Sequence, residues 1–480
     1  MVFCIAQGHA QNNRKALHDY FDNIRREAHE EFNDFRRQCM MDFLEFMSNP
    51  WKEFEEEKPV PAPKEDLIPP VTIPKEDKEK PIEDKPVVIE EVVEPNPVEP
   101  QPTPVSPIKE VPVEEVKYVD FTFFGTTARV RFDLNNQVKL TGVDEKSVVD
   151  ALETMSGSSY DNMIIDCLAL RENLQLSDWC YVQMLKNLAD KIAGQGTNEA
   201  AVLLVYLYMQ SGYKTRIATD GMHLYMLYAS RYQIFDRNAF TVDNTLYYGV
   251  EQLPSRLHIS QATFPGEREL SLEIRSDQHL SRLVSKEIKR VSSEHPDVAC
   301  TISVNQNQID FYNSYPTSMV GGNIMTRWAM YANTPLDQEV RTKMYPQLRK
   351  HINGKSQYES VNILLDFVQN AFVYEYDSKE WGYDRAFFAE ETLFYPHADC
   401  EDRAILFSRL VRDLIGLKVV LVFYPGHLAA AVQFTDAVQG DYLELQGQRF
   451  VVCDPTYIGA PVGLTMKGMD NNSAKVILLD

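Results

Sequence analysis

Apolar and polar positions divide the chain into stretches of different period. Over 12–52, Leu17, Phe21, Ile24, Ala28, Phe32, Phe35, Cys39, Phe43 and Phe46 recur every three or four residues. That draws one apolar stripe, the mark of an amphipathic helix. Asn49-Pro50 ends it, because the residue before a proline is pushed out of the helical region. From 53 to 115 no period survives. Globular patterning resumes near Tyr118, where Phe121–Gly125 and Ala128–Phe132 alternate and predict a β-hairpin. Helical periodicity starts at about Glu145, and mixed helix and strand run to about Val250. Residues 251–294 read as a connecting segment, with a strand near 270–274 and a charged helix over 280–292. From Val298 the plan restarts, with strands expected near 301–304 and 308–312, then helices, then strands to the end. The fold class predicted is α+β.

The 53–115 stretch holds fifteen of the 26 prolines, with 7 Lys against 18 Asp and Glu. Such a composition buries too little surface to offset chain entropy, so a disordered linker is expected. Fully extended as polyproline II, its proline-rich part would reach roughly 170 Å. A linker of that kind leaves the 12–52 helix free to meet a partner or a second copy.

The whole chain has 480 residues and a net charge of −22. Its length allows two or three domains. The acid excess argues against a nucleic-acid partner. No run of 18 apolar residues predicts a transmembrane segment. Seven cysteines without a CxxC pair exclude a disulfide scaffold and a zinc ribbon. In residues 1–11, Gly8 and Ala10 have the spacing of a signal-peptidase site, but the apolar stretch before them is short. Residues 1–11 read either as a truncated signal peptide or as an unstructured end. Export to the periplasm or cell envelope is therefore expected, with the cytoplasm as the alternative.

The restart suggests duplication. Laid without gaps, Cys400–Gly416 matches Gly196–Gly212, with Ala404 on Ala200 and His427 on His223. Further on, Arg449–Asp454 is similar to Arg231–Asp236, and Glu380–Tyr383 to Asp178–Tyr181. The second copy then carries fourteen extra residues between its His and its Asp. Cys, His and Asp occur in series in one copy, as Cys400, His427 and Asp454. The other copy has Gly196, His223 and Asp236, a degenerate site without a nucleophile.

A thiol nucleophile needs a base beside it and a group that orients the base. Asp399 is the expected N-cap of a helix whose apolar face is Ala404, Phe407, Val411 and Leu414, with Asp402 completing a capping box. Cys400 then lies at a helix N-terminus, which favours the thiolate. His427 follows a β-type run, and Asp454 ends another before Pro455. The other cysteines read as packing residues.

Cys at a helix start, then His and Asp on successive strands, resembles the transglutaminase-like superfamily with its papain-like core. The run Asp399-Cys-Glu-Asp402 is most similar to bacterial transglutaminase-like cysteine peptidases. The resemblance covers about 358–457, and more faintly 160–236. It implies two tandem transglutaminase-like domains, 116–250 and 295–480. It further implies Cys400 as nucleophile, His427 as base and Asp454 as orienter. The activity implied is hydrolysis of a peptide or side-chain amide in a protein or peptide substrate, or acyl transfer to an amine. Trp381 would line the cleft or serve an oxyanion hole. Two positions depart from the family pattern: Ala398 stands for its usual Gly, and Leu428 for an aromatic. No cofactor is required by this reading. Asp399, Glu401 and Asp402 would hold calcium by the resemblance; otherwise Glu401 and Asp402 face solvent, with Arg403 at hand to pair. A zinc site from His397, Cys400, His427 and Cys453 is a further use of the same residues. The alternative function is a non-enzymatic envelope scaffold with two inactive modules.

Overall fold

The computed structural model describes residues 38–480, apart from 65–67, 79, 98, 105–107 and 158–159. It is a mixed α+β structure. The 1–11 segment and most of the 12–52 helix lie outside the described residues. The described end of that helix, 38–47, packs on the chain's own core: Met40, Phe43, Leu44 and Met47 are buried, and Phe43 meets Phe264 at 5.7 Å. Phe46, expected on the same face, is half exposed.

The 53–115 stretch is not a free linker. It contributes β1 (Lys52–Glu55), β2 (Val71–Thr72), β3 (Lys85–Pro86) and β4 (Ile89–Val93), and each pairs with the edge of a sheet or with a loop strand. The composition argument fails because it counts side chains alone. An unpaired sheet edge offers a row of backbone donors and acceptors, and short runs such as Val71-Thr-Ile73 suffice to fill it.

The predicted hairpin is present as β5 (Tyr118–Phe123) and β6 (Thr126–Arg131). Its turn is Phe124-Gly125, both at positive φ, a conformation that suits strand twist and needs Gly in one place. Four helices follow, Glu145–Ser156, Tyr160–Asn173, Asp178–Ala193 and Asn198–Gln210. Next come β7 (Thr215–Thr219), β8 (Leu224–Ala229), β9 (Tyr232–Ile234), β10 (Ala239–Val242), β11 (Thr245–Gly249) and β12 (Arg256–Ile259). The first sheet has the order β1-β12-β7-β8-β11-β10, while β9 leaves it. Residues 270–274 form no named strand. The charged helix expected over 280–292 is absent, and β13 (Ile288–Val291) pairs there with β14 (Ala299–Ile302). The strand expected near 308–312 lies inside the helix Gln306–Asn313, because Asn305 caps it by accepting from the Asn307 N–H. β15 (Ser318–Val320) pairs with β9 and ties the halves together.

The second sheet is built from β16 (Val419–Tyr424), β17 (His427–Val432), β18 (Asp441–Leu445), β19 (Gln448–Cys453) and β21 (Ala474–Ile477). Its order is β3-β18-β19-β17-β16-β21-β4, so the proline-rich stretch closes both edges. Between them β20 (Tyr457–Ile458) pairs with β2. Each half places a helix before a hairpin: Asn198–Gln210 before β7–β8, and Cys400–Leu414 before β16–β17. The halves are not separately cored. One contiguous buried cluster joins Leu185 and Leu203 to Tyr331, Leu365, Phe407 and Leu421.

Candidate active site

Cys400 opens the helix Cys400–Leu414, and its cap is the expected one. The Asp399 carboxylate accepts the N–H groups of Glu401 at 3.2 Å and Asp402 at 3.4 Å, while Asp402 accepts the Asp399 N–H at 3.3 Å. His427 is the first residue of β17, held there by the tight Pro425-Gly426 turn with Gly426 at φ 78°. Asp454 follows β19, which pairs with β17 through Ala430 and Cys453. Adjacent strands thus carry the two side chains, and His427 Nε2 lies 2.9 Å from Asp454 Oδ2. The other Asp454 oxygen accepts the N–H groups of Thr456 at 2.9 Å and Tyr457 at 3.1 Å. Both residues are nearly sealed from solvent, at 2% and 1% exposure. Cys400 and His427 line one cavity of about 110 Å³. The Leu428 N–H, next to His427, donates to the Cys400 sulfur.

The charges around the thiol overturn one expectation. Burial, then the Asp399 and Glu401 carboxylates, hold the Cys400 thiol well above its ordinary value, so the helix start does not win. Glu401 and Asp402 do not face solvent. Burial raises both well above the usual carboxylate range, with Asp399 adding to each. Glu401 accepts from the buried Arg327 at 3.2 Å, and Arg327 also pairs with Asp384 at 2.7 Å. Asp402 accepts the Phe387 N–H at 2.8 Å. Arg403 pairs with none of them. It is buried and donates to the carbonyls of Ala398, Gln369 and Phe372, fixing the loop before Cys400.

The calcium donor set does not assemble as expected. Asp399, Cys400 and Glu401 offer atoms within 4.8 Å of one another, as do Asp377, Asp384 and Glu401, but Asp402 belongs to neither group. The first group includes a thiol, and in the second Asp384 and Glu401 are already paired with Arg327, whereas calcium takes six to eight oxygens. Among the described residues no metal-sized cluster unites His397, Cys400, His427 and Cys453.

Trp381 does not line the cavity. It sits under the Arg385 guanidinium, 4.3 Å from its ring, and against Tyr395 at 5.0 Å. Trp328 and Arg327 line the cavity instead. An arginine inside the apolar run Met325–Ala332 was the available signal, because a buried guanidinium needs buried acids. Gln369 was also unforeseen. Its amide donates to the carbonyls of Asp454 at 2.9 Å and Ala460 at 3.0 Å, bracing the turn behind His427.

In the first half, Gly196 and His223 line a cavity of about 280 Å³, but Asp236 does not. Asp236 follows β9, which has left the sheet, and His223 pairs with Asp220 at 3.2 Å instead. Strand register points to a different residue beside His223. Leu227 faces Gly249 at the end of β11, and continuing that register by one step sets Met226, which aligns with Ala430, level with Val250. Glu251 then takes the place of Asp454. It lines the same cavity and pairs with Lys186 at 2.9 Å. His223 and Glu251 are 28 residues apart (251 minus 223), against 27 for His427 and Asp454 (454 minus 427), so the fourteen-residue insertion disappears. The match of 380–383 to 178–181 also fails, since Asp178 starts a long helix while Glu380 ends a four-residue one.

Among the described residues no helix is long and apolar enough to cross a membrane. No protein-family model matches the chain, and no curated protein does either. A crystal structure from Parabacteroides distasonis described as "a putative protease" is similar at 10% identity and a TM-score of 0.16, over 52% of this chain and 42% of its own. This chain thus spans about two fifths of that protein's chain, and a TM-score of this size does not establish a shared fold.

Proposed function

We propose that the chain is a transglutaminase-like thiol hydrolase acting on peptide or side-chain amide bonds. The observation that carries this reading is the 2.9 Å contact between His427 Nε2 and Asp454 Oδ2, in a cavity shared with a cysteine at a helix start. With Nε2–H donating to Asp454, Nδ1 of His427 is the nitrogen left to take the thiol proton. Cys400 Sγ attacks the amide carbonyl carbon, and the carbonyl electron pair moves to oxygen. The Cys400 N–H, unbonded within its helix, is a donor for that oxyanion. On collapse the C–N bond breaks, and His427 gives its proton to the leaving amine. Water, deprotonated by His427, then cleaves the thioester and restores the thiol. An amine in place of water gives a crosslink. Because the resting thiol is held protonated, its proton moves to His427 as substrate binds rather than before.

The reading requires no cofactor. A calcium ion would have to be met by Asp399 and Glu401 with Arg327 displaced, and no step runs through it. Export to the periplasm or cell envelope belongs to the same proposal on the spacing of Gly8 and Ala10 alone; cell fractionation tests it.

The test is turnover of casein and of glutamine-containing peptides by the full chain, beside Cys400→Ala and His427→Ala. Loss of all turnover in both variants, with melting unchanged, is expected. Activity surviving in Cys400→Ala would remove the mechanism. The second reading, a binding scaffold, is favoured by the raised thiol and by Asn198, rather than a cysteine, opening the helix before β7–β8 in the first half. A Cys400 that iodoacetamide modifies no faster with His427 than without it would support that reading.

A further inference from the structure

Pro63 and Lys64 line the cavity that holds Cys400 and His427. They belong to the proline-rich stretch, and the chain is tied down on both sides of them. Before the cavity, the Asp236 N–H donates to the Val60 carbonyl at 2.9 Å, and the Asp236 carboxylate accepts the Ala62 N–H at 3.4 Å. After it, the Tyr374 hydroxyl donates to the Ile68 carbonyl at 3.3 Å. Then β2 adds in parallel to β20, with Val71 opposite Tyr457, and the Ile73 N–H donates to the Ile458 carbonyl at 3.0 Å. Ile68, Val71 and Ile73 pack with Tyr457, Ala460 and Met466.

This docking shares parts with the catalytic turn. Tyr457, which receives β2, is one of the two residues whose N–H groups hold Asp454 Oδ1. Prolines at 59, 61 and 63 keep the segment extended and remove its own N–H donors there. The groove therefore accepts an extended chain by strand addition at β20 and by side chains beside Cys400. The ladder is two residues long and the contact at Ala62 is a long one, so the segment is held by separate points that another extended chain can take over.

We propose that residues 60–64 and 68–73 are the resident occupant of the catalytic groove, and that its second occupant is an extended polypeptide segment that displaces them. Calling that second occupant a substrate rests on the thiol-hydrolase reading; the strap itself does not. Six residue steps separate Ala62 from Ile68, about 20 Å at full stretch, so the strap competes as a tethered and concentrated ligand.

The experiment is the rate of Cys400 alkylation by iodoacetamide at pH 8, followed by peptide mapping of the full chain. In one variant Pro61-Ala-Pro-Lys64 becomes Gly-Ser-Gly-Ser, with folding checked by circular dichroism and melting. The rate is expected to rise at least ten-fold, and a synthetic peptide of residues 58–73 added in trans is expected to bring it back down. Lys64→Ala is the milder second variant, with an expected rise of about three-fold on loss of one lining side chain. Rates within two-fold of the parent in a folded variant, or indifference to the peptide, would overturn the strap. Faster alkylation without hydrolysis of casein would keep the strap and remove the hydrolase. Hydrolysis by the parent chain as fast as by the variant would keep the hydrolase and remove the strap.

Discussion

His427 and Asp454 meet at 2.9 Å across neighbouring strands, and the second Asp454 oxygen is spent on the N–H groups of Thr456 and Tyr457. The carboxylate is therefore fixed before it meets the imidazole, and in the hydrolase reading it selects the tautomer that leaves Nδ1 free to act as base. Asp454→Asn keeps the shape but presents an N–H to the ring. In the hydrolase reading, turnover should fall on the order of 10⁴-fold with KM little changed. Steady-state kinetics checks this; a fall below ten-fold would mean that Asp454 does not set the tautomer.

The Cys400 thiol is pushed up first by burial and next by Asp399. Asn caps a helix about as well as Asp. Asp399→Asn should therefore keep the helix start while removing a negative charge beside the sulfur. Its alkylation rate at pH 8 should be several-fold above that of the parent, and its rate-against-pH curve should lie at lower pH. An unmoved curve would mean that burial alone holds the proton.

Glu390 is fully buried and held at about 8, by burial first and by Asp337 next. Its neighbour Glu391 is held at about 7 by burial, against the pull of Arg385. The unfolded chain loses these protons near 4.5. Between about pH 4.5 and 8 the native state binds more protons than the unfolded one, so stability falls as pH rises through that window. At ~1.4 kcal/mol per pKa unit, the fall is on the order of a few kcal/mol. Denaturant melts at pH 5 and pH 8.5 should show it, and Glu390→Gln should flatten the slope.

Gly196 matches Cys400 in the letters, but it lies two residues before the helix Asn198–Gln210, whereas Cys400 opens its own helix; Gly196 has φ +70° and open space around an added Cβ. Sterics do not forbid a side chain there, but the backbone does, at roughly 1–2 kcal/mol. Gly196→Cys in a Cys400→Ala background should cost about that much stability in urea and restore no turnover. Recovered activity would show that His223 and Glu251 still form a working pair.

Which parts of the site were legible follows from how local each one is. The cap at Asp399 and Asp402, the helix face behind Cys400 and the strand that starts at His427 are written in a few consecutive residues, and the structure repeats them. The counterpart of Asp454 was misread as Asp236, because Arg231–Asp236 is similar to Arg449–Asp454 in letters while β9 leaves the sheet. Likeness along the chain does not say which strand is the neighbour. Trp381 was misplaced for the same reason, since the cavity drew its tryptophan, Trp328, from a different helix.

The sequence by itself determined the α+β class, the helix caps, the turn residues and the order Cys, His, Asp, because capping, periodicity and turn chemistry act over three or four residues. Tertiary structure alone decided the rest. It laid the proline-rich stretch along both sheets, because free edges supply backbone bonds that composition does not count. It buried Glu401 and Asp402 against Arg327 and the Phe387 N–H, and it raised a thiol that a helix start alone would have lowered. Burial and long-range charge depend on what the fold brings together from distant residues, and no short stretch of sequence records that.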